Sequence, residues 1–586
     1  MSETTVTHAT TSPSDDTPDA PTPTGDADTA SPVGVGVGGR LRRYGRSLHP
    51  VGLTLALLFF CWSMTPSLLP RVWYLQAVAT GISVATGYGI GCLAAWLVRK
   101  CGVTARYSER TRRIGWWILL GLAVVAVPTF LVLGSWWQQI VRELAEAEAA
   151  SRSYYLLVLA LSLTVAALIL AIARSIRGGT NRLTAFGRRY VPAPVARLAS
   201  LVVVLVVGVF VVNGVVYQGV IGLANRSAAA ADQSTAPDVT EPTASERSGS
   251  PASAEPWDSL GREGRTFVAG GPTPEQITAV TGRPAPMPIR VYAGRESADS
   301  VEGVADRVVA ELERTGGFDR SVLAVATTTG RGWVNARVAS SLEYVAGGDS
   351  AIASMQYSFL PSALSFVADR QTPPEAGRAL FEAVSAAVDA RPAESRPKLV
   401  VFGESLGSFG GQGAFGGAQD MLSRTDGALW VGTPNFAPQW AQITADRDPG
   451  SPERLPVVDG GANVRFAASA ADLDLPGPWG TPRVVYWQHA SDPITWWSFD
   501  LLLNKPDWLR EPLGPDVDPG MRWIPFVTFW QVTMDMVFSA DVPEGHGHTF
   551  GRDAVNMWAG ILDPADWTAA QTEQVRAIVG GDRTEE

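Results

Sequence analysis

Lys398-Leu-Val-Val-Phe-Gly-Glu-Ser-Leu-Gly-Ser-Phe-Gly410 is the stretch whose reading decides the fold of this chain. Leu399–Phe402 is a short, continuously apolar run of the kind that forms a buried strand. Gly403-Glu404-Ser405-Leu406-Gly407 follows in the pattern Gly-x-Ser-x-Gly, and Ser408–Leu422 is a small-residue stretch able to form a helix. Strand, Gly-x-Ser-x-Gly and helix in that order make a nucleophile elbow. The requirement is steric: the turn holds the serine in a strained backbone so that its hydroxyl projects from the top of a sheet. The flanking glycines let strand and helix approach closely.

Outward from the elbow, the pattern alternates between strands and helices. Ile289–Tyr292, Val322–Thr327, Ala351–Tyr357, Leu429–Val431 and Val484–Gln488 read as strands, and Val301–Arg314, Pro374–Ala390 and Arg552–Leu562 as helices. Short apolar strands alternating with helices predict a mostly parallel sheet covered on both faces, occupying about residues 257–586.

An elbow serine needs a base, and the base needs an acid to orient it, in the chain order serine, acid, histidine. His8 and His49 lie far upstream, and His489 precedes the expected acid at a strand end, which breaks that order. Gly545-His546-Gly547-His548 remains, in a glycine-rich loop before the last helix. His548 is favoured as base because it stands nearer the helix start, with His546 the alternative. Asp492, in the turn Ala490-Ser-Asp-Pro493, is the expected acid ahead of Asp500, Asp518 and Asp541, although an Asx-type turn alone also explains an Asp before Pro. The oxyanion donors are expected to be the backbone N–H of Leu406 and that of Thr328 or Thr329, in the loop after Val322–Ala326. The tryptophan-rich segment between acid and histidine (Trp487, Trp496, Trp497, Trp508, Trp523 and Trp530) reads as core, an acyl-chain cleft or a cap dipping toward a bilayer. No cofactor or metal is called for. The sheet domain carries no cysteine for a disulfide or a cysteine-built zinc site, and the chain has no P-loop.

The front of the chain has a different character. Five apolar stretches (Val51–Leu69, Trp73–Val98, Ile114–Leu133, Tyr155–Ala173 and Leu198–Leu223) contain no Asp, Glu, Lys or Arg. Each is near the roughly 20 residues that a helix needs to cross a bilayer, so residues 40–225 are expected to form a five-helix transmembrane domain. Sixteen basic residues precede the first span or sit in the second-to-third and fourth-to-fifth connections, against three in the other two connections. The positive-inside rule then puts the N-terminus in the cytoplasm and everything after the fifth span outside. Residues 1–39, rich in Thr, Pro, Ser and Asp, read as a disordered cytoplasmic tail, and 226–256 as a flexible linker. Residues 1–226 carry net charge +10 and the remainder −20. An acidic outer domain argues against a nucleic-acid partner.

Thr65-Pro-Ser-Leu-Leu-Pro-Arg71, Phe267-Val-Ala-Gly-Gly-Pro-Thr273, Val401–Gly410, Ser491-Asp-Pro493 and Gly545–His548 together resemble the actinobacterial alpha/beta-hydrolase family membrane proteins, over roughly residues 50–565. The resemblance implies an integral-membrane serine hydrolase with an α/β-hydrolase domain, and supports Ser405 as nucleophile. It supplies no substrate. The expected function is that of a membrane-anchored esterase or lipase acting on a lipid or acylated envelope ester outside the membrane. An acyltransferase using the same triad, or a transporter with an extracytoplasmic regulatory domain, is the alternative. Oligomeric state is not legible.

Overall fold

Seven strands, every one paired in parallel, build the C-terminal half: β1 (Ile289–Ala293), β2 (Val322–Thr327), β3 (Ser350–Met355), β4 (Lys398–Glu404), β5 (Gly427–Val431), β6 (Val464–Ala467) and β7 (Arg483–Trp487). Their order across the sheet is β1-β3-β2-β4-β5-β7-β6. The computed structural model describes residues 48–102, 108–148, 154–361, 365 and 369–581. The expected tail, 1–39, lies outside the described residues.

Side chains of each strand point alternately to two buried faces, which is why the strands read as continuous apolar runs. Leu323 and Val325 of β2 join one core with α6 (Val301–Thr315), α8 (Thr372–Asp389) and α9 (Leu406–Gln412). Ala324 and Ala326 join a second core with α7 (Ala336–Val345), α11 (Ala554–Leu562) and α12 (Ala569–Gly581). The order reverses direction about β2 and β4, because β3 lies on one side of β2 and β4 on the other. The crevice beyond the strand ends at such a switch is where open sheets of this kind bind ligands.

Among the described residues, four helices in the N-terminal half are long and apolar enough to cross a membrane: α2 (Trp73–Lys100), α3 (Glu109–Leu144), α4 (Tyr155–Gly187) and α5 (Ala193–Asp232). The first of the five expected spans, Val51–Leu69, is corrected. Only Pro50–Ser63 of it is helical (α1, 14 residues), which at about 1.5 Å per residue reaches roughly 21 Å against a hydrocarbon core of about 30 Å. Pro66 and Pro70 end it, since a residue before proline is pushed out of the helical region. α1 packs on α2 through small residues. Cβ atoms on Gly87 and Gly91 would lie 2.7 Å from the Leu55 carbonyl oxygen and 2.6 Å from that of Val51, so only glycine permits these approaches.

The connector from Met64 to Val72 leaves the helices and enters the sheet domain, where Leu68 and Leu69 are buried in the first core. Residues 226–256 also differ from the expected flexible linker. Residues through Asp232 continue α5. Further on, Arg247 is buried and donates to the Gly270 carbonyl (2.6 Å), while the Ser248 amide donates to that of Arg290 on β1 (3.1 Å).

Candidate active site

The carboxyl ends of four neighbouring strands are level. Thr327 of β2 pairs with Gly403 of β4, Glu404 with Val431 of β5, and Val431 with Trp487 of β7. The residues just past those ends are Thr328, Ser405, Gly432 and, after a short turn, Asp492.

Ser405 has φ 54° and ψ −120°, a sparsely populated conformation that costs a non-glycine residue of order 1–3 kcal/mol. The neighbourhood enforces it. Ser405 N–H donates to the Val431 carbonyl at 2.9 Å, and the Ser405 carbonyl accepts from Phe409 N–H at 3.1 Å, the first turn of α9. A Cβ on Gly403 would lie 2.5 Å from the Gly407 carbonyl carbon, and one on Gly407 would overlap the Thr327 carbonyl oxygen. Strand, helix and the β2 end therefore meet at a distance that only glycine allows.

Leu406 begins α9, so its N–H belongs to the helix-start amides that have no acceptor inside the helix. Thr328 is on the facing loop: the Gly407 Cβ position is 3.1 Å from its carbonyl carbon, and its hydroxyl donates to the Met355 carbonyl at 2.9 Å. The Thr329 N–H is already committed to the Trp333 carbonyl at 3.1 Å. Of the two threonine amides expected from sequence, the structure therefore removes Thr329 as an oxyanion donor.

The His546–His548 loop divides its two imidazoles. His548 Nδ1 lies 2.7 Å from Asp492 Oδ2, whereas His546 Nδ1 faces Asp516 at 3.6 Å. The Asp492 carboxylate is fully buried and accepts two further hydrogen bonds, from Ile494 N–H (2.8 Å) and Thr495 Oγ1 (3.1 Å). It also caps the short helix Pro493–Trp496, so the turn role and the pairing with histidine coexist. His548 packs over Gly432 at the end of β5: a Cβ there would be 2.9 Å from His548 Nδ1. It also meets the ring of Phe550 edge-on at 5.5 Å.

Sequence reasoning set His489 aside for its place in the order, and the structure gives it a supporting place. Its ring is buried and stacks on Phe550 at 4.3 Å, and its Nδ1–H donates to the Gly547 carbonyl at 2.9 Å. Burial pushes its pKa down, against the opposing pull of the Gly547 carbonyl and of Asp492 and Asp516, so it is held neutral. Ser491 Oγ accepts from Gly547 N–H at 2.8 Å and donates to Asp516 at 2.5 Å. Ser491 belongs to the Ser491-Asp-Pro493 string beside Asp492, whereas no motif names His489 or Asp516. Asn335 is a second omission. It caps α7 and donates to Glu404, the residue before the serine, at 2.6 Å.

Trp487, Trp496 and Trp508 are buried core residues. Trp497, Phe499, Phe529 and Trp530 contact one another at the edge of the core that holds Trp496 and Trp508, with Phe499 61% exposed. A cavity of about 440 Å³ lies where α5 meets the segment after β3, lined by Ile221, Gly222, Tyr357, Leu360 and Asp369 among others; neither Ser405, Asp492 nor His548 lines it.

Residues 289–575 match the family model described as Alpha/beta-hydrolase family, and residues 64–272 that described as Alpha/beta-hydrolase family N-terminus. No curated protein and no solved structure matches the chain.

Proposed function

Because this chain belongs to the alpha/beta-hydrolase family through both its C-terminal and its N-terminal halves, we propose that it is a membrane-embedded serine hydrolase of carboxylic esters. The observation that carries the reading is the pairing of a strained elbow serine with a buried Asp492–His548 couple 2.7 Å apart, at adjacent ends of one sheet.

In the proposed reaction, Ser405 Oγ attacks the ester carbonyl carbon while His548 Nε2 takes the hydroxyl proton. Asp492 fixes the imidazole with Nδ1–H toward itself and stabilises the imidazolium that forms. The N–H groups of Leu406 and Thr328 donate to the oxyanion. Collapse breaks the ester C–O bond, and His548 returns the proton to the departing alkoxide. Water, deprotonated by His548, then cleaves the acyl-serine. An acceptor alcohol in place of water gives acyl transfer with the same groups, and product analysis with and without an acceptor separates the two.

The proposed substrate is a lipid or acylated envelope ester, and the proposed site of action is the extracytoplasmic side. The connector Met64–Val72 and the end of α5 abut the sheet domain, and α3 is tied to that connector. Arg71 pairs with Asp535, Arg71 N–H donates to Gln138 Oε1, and Arg265 donates to the Asp232 carbonyl. The basic runs Arg99–Lys100 and Arg174–Arg197 fall at the opposite helix ends. By the positive-inside rule those ends are cytoplasmic. Four crossings, beginning and ending beside the sheet domain, leave this sidedness intact whether or not α1 spans.

The test is labelling of native membranes with a fluorophosphonate probe. Labelling of the wild type that disappears in Ser405→Ala is expected; a folded wild type that never labels overturns the reading.

A further inference from the structure

The histidine loop leans on the membrane half of the chain. Leu69, between α1 and α2, is 1% exposed, and its Cδ1 lies 3.1 Å from where a Cβ on Gly547 would stand. Gly547 separates His546 from His548. On one side its peptide is held by His489 and Ser491. On the other it is closed in by the Ser539 carbonyl oxygen and Val542 Cγ2, each 2.7 Å from the same Cβ position, together with Leu69. The His548 N–H donates to that Ser539 carbonyl at 2.8 Å.

Ser539 in turn follows α10 (Val527–Asp535), the element to which the connector is anchored. Asp535 Oδ2 accepts hydrogen bonds from Ser67 Oγ, from Leu68 N–H at 3.1 Å and from Leu69 N–H at 3.5 Å, and Asp535 Oδ1 pairs with Arg71 Nε at 3.3 Å. Gln531, one turn earlier, donates to the Thr65 carbonyl at 2.9 Å. Five of the seven residues Thr65–Arg71 thus grip one helix, and the chain leaving that helix holds the histidine loop.

We propose that Leu69 is a positioning residue for His548, with the Thr65–Arg71 connector as its anchor, so that competence of the Ser405 site depends on a docked membrane region. The inference rests on His548 being the base. A strand-end serine and a loop-borne imidazole must hold their mutual geometry, and a misplacement of about 1 Å can cost on the order of 10²-fold in rate. Tying the loop to the connector rather than to the sheet domain alone makes the anchored protein the active form.

Full-length protein in membranes, carrying Leu69→Ala, tests this with two readouts. One is the rate of Ser405 labelling across pH. The other is hydrogen exchange of the peptides covering residues 539–550, which reads loop support whether or not the serine reacts. The expected result is faster exchange confined to that loop. Labelling should fall by about tenfold or more, with a shifted pH profile, and Leu69→Met should restore both. Leu168→Ala, at an outward-facing position of α4 that is 60% exposed, should change neither. Unchanged exchange in Leu69→Ala overturns the proposal. Faster loop exchange in a protein whose wild type never labels upholds the support role of Leu69 and overturns the serine-hydrolase reading instead.

Discussion

At the scale of single residues, His489 holds the loop that carries His548, one of the three groups proposed to react. Ser405 is marked by its glycines, Asp492 by a strand end and a proline, and His548 by the scarcity of histidine in the sheet domain. His489 looked out of order because order rules speak only of the reacting groups. Its buried, neutral ring makes a testable contribution. Above pH of about 6.5 it is neutral folded or unfolded, so it adds no pH dependence. Below that, the unfolded chain binds a proton that the folded chain refuses, because burial lowers the folded pKa. Stability is therefore expected to fall as pH drops from about 7 toward 5, by up to about 1.4 kcal/mol per pH unit from this one group. In His489→Asn, which keeps a donor for the Gly547 carbonyl, the slope of unfolding midpoint against pH over that window should be shallower than in wild type. Parallel slopes would show that His489 is not a buried neutral group.

At the scale of elements, strands β1 to β5 and β7 were legible because apolar and small residues dominate each, with Arg290 inside β1 the exception. β6 was not. It has only four residues, Arg465 among them, and lies at the sheet edge beside β7. The arginine is buried because its Nε–H donates to the Gly461 carbonyl at 3.0 Å and its guanidinium lies 4.5 Å from the Trp479 ring centroid. Residues 244–256 misled for the opposite reason: polar composition signals a linker, but this segment is fastened by hydrogen bonds to Glu311, Arg290 and Gly270. The connector Thr65–Arg71 is the third case, where a proline pair turned an expected span into a docking element. Its Arg71–Asp535 pair is almost fully buried, and burial drives the Asp535 carboxyl up to about 6 despite Arg71. Removing one partner of a buried pair costs about 3–5 kcal/mol, whereas replacing both with apolar groups costs far less. Asp535→Leu and Arg71→Met should each lower the unfolding midpoint of the detergent-solubilised protein. The double variant should be more stable than the sum predicts by about 0.5–3 kcal/mol. Strict additivity would mean that the two side chains do not interact.

At the scale of the molecule, the proposed orientation draws on both charge asymmetry and fold. The exposed large apolar side chains crowd onto α1 to α5; in the sheet domain only Phe499, Leu503 and Val537 are so exposed among the described residues. Val537 adjoins Phe538, whose ring meets Tyr74 at the start of α2 at 6.3 Å, so one of the few apolar points of the sheet domain is level with the membrane helices. That seating fits the amphiphilic ester proposed as substrate. The chain carries its own reporter of sidedness. Cys101 is exposed just past α2, beside Arg99 and Lys100, whereas Cys61 is buried and Cys92 half-buried. An impermeant maleimide added to sealed cells should leave Cys101 unmodified and should react with it once the cells are opened. The same reagent should modify Asp566→Cys in sealed cells, because that side chain is 74% exposed on the sheet domain. Modification of Cys101 from outside, with position 566 protected, would invert the arrangement. The hydrolase would then face the cytoplasm, and an envelope ester could no longer be its substrate.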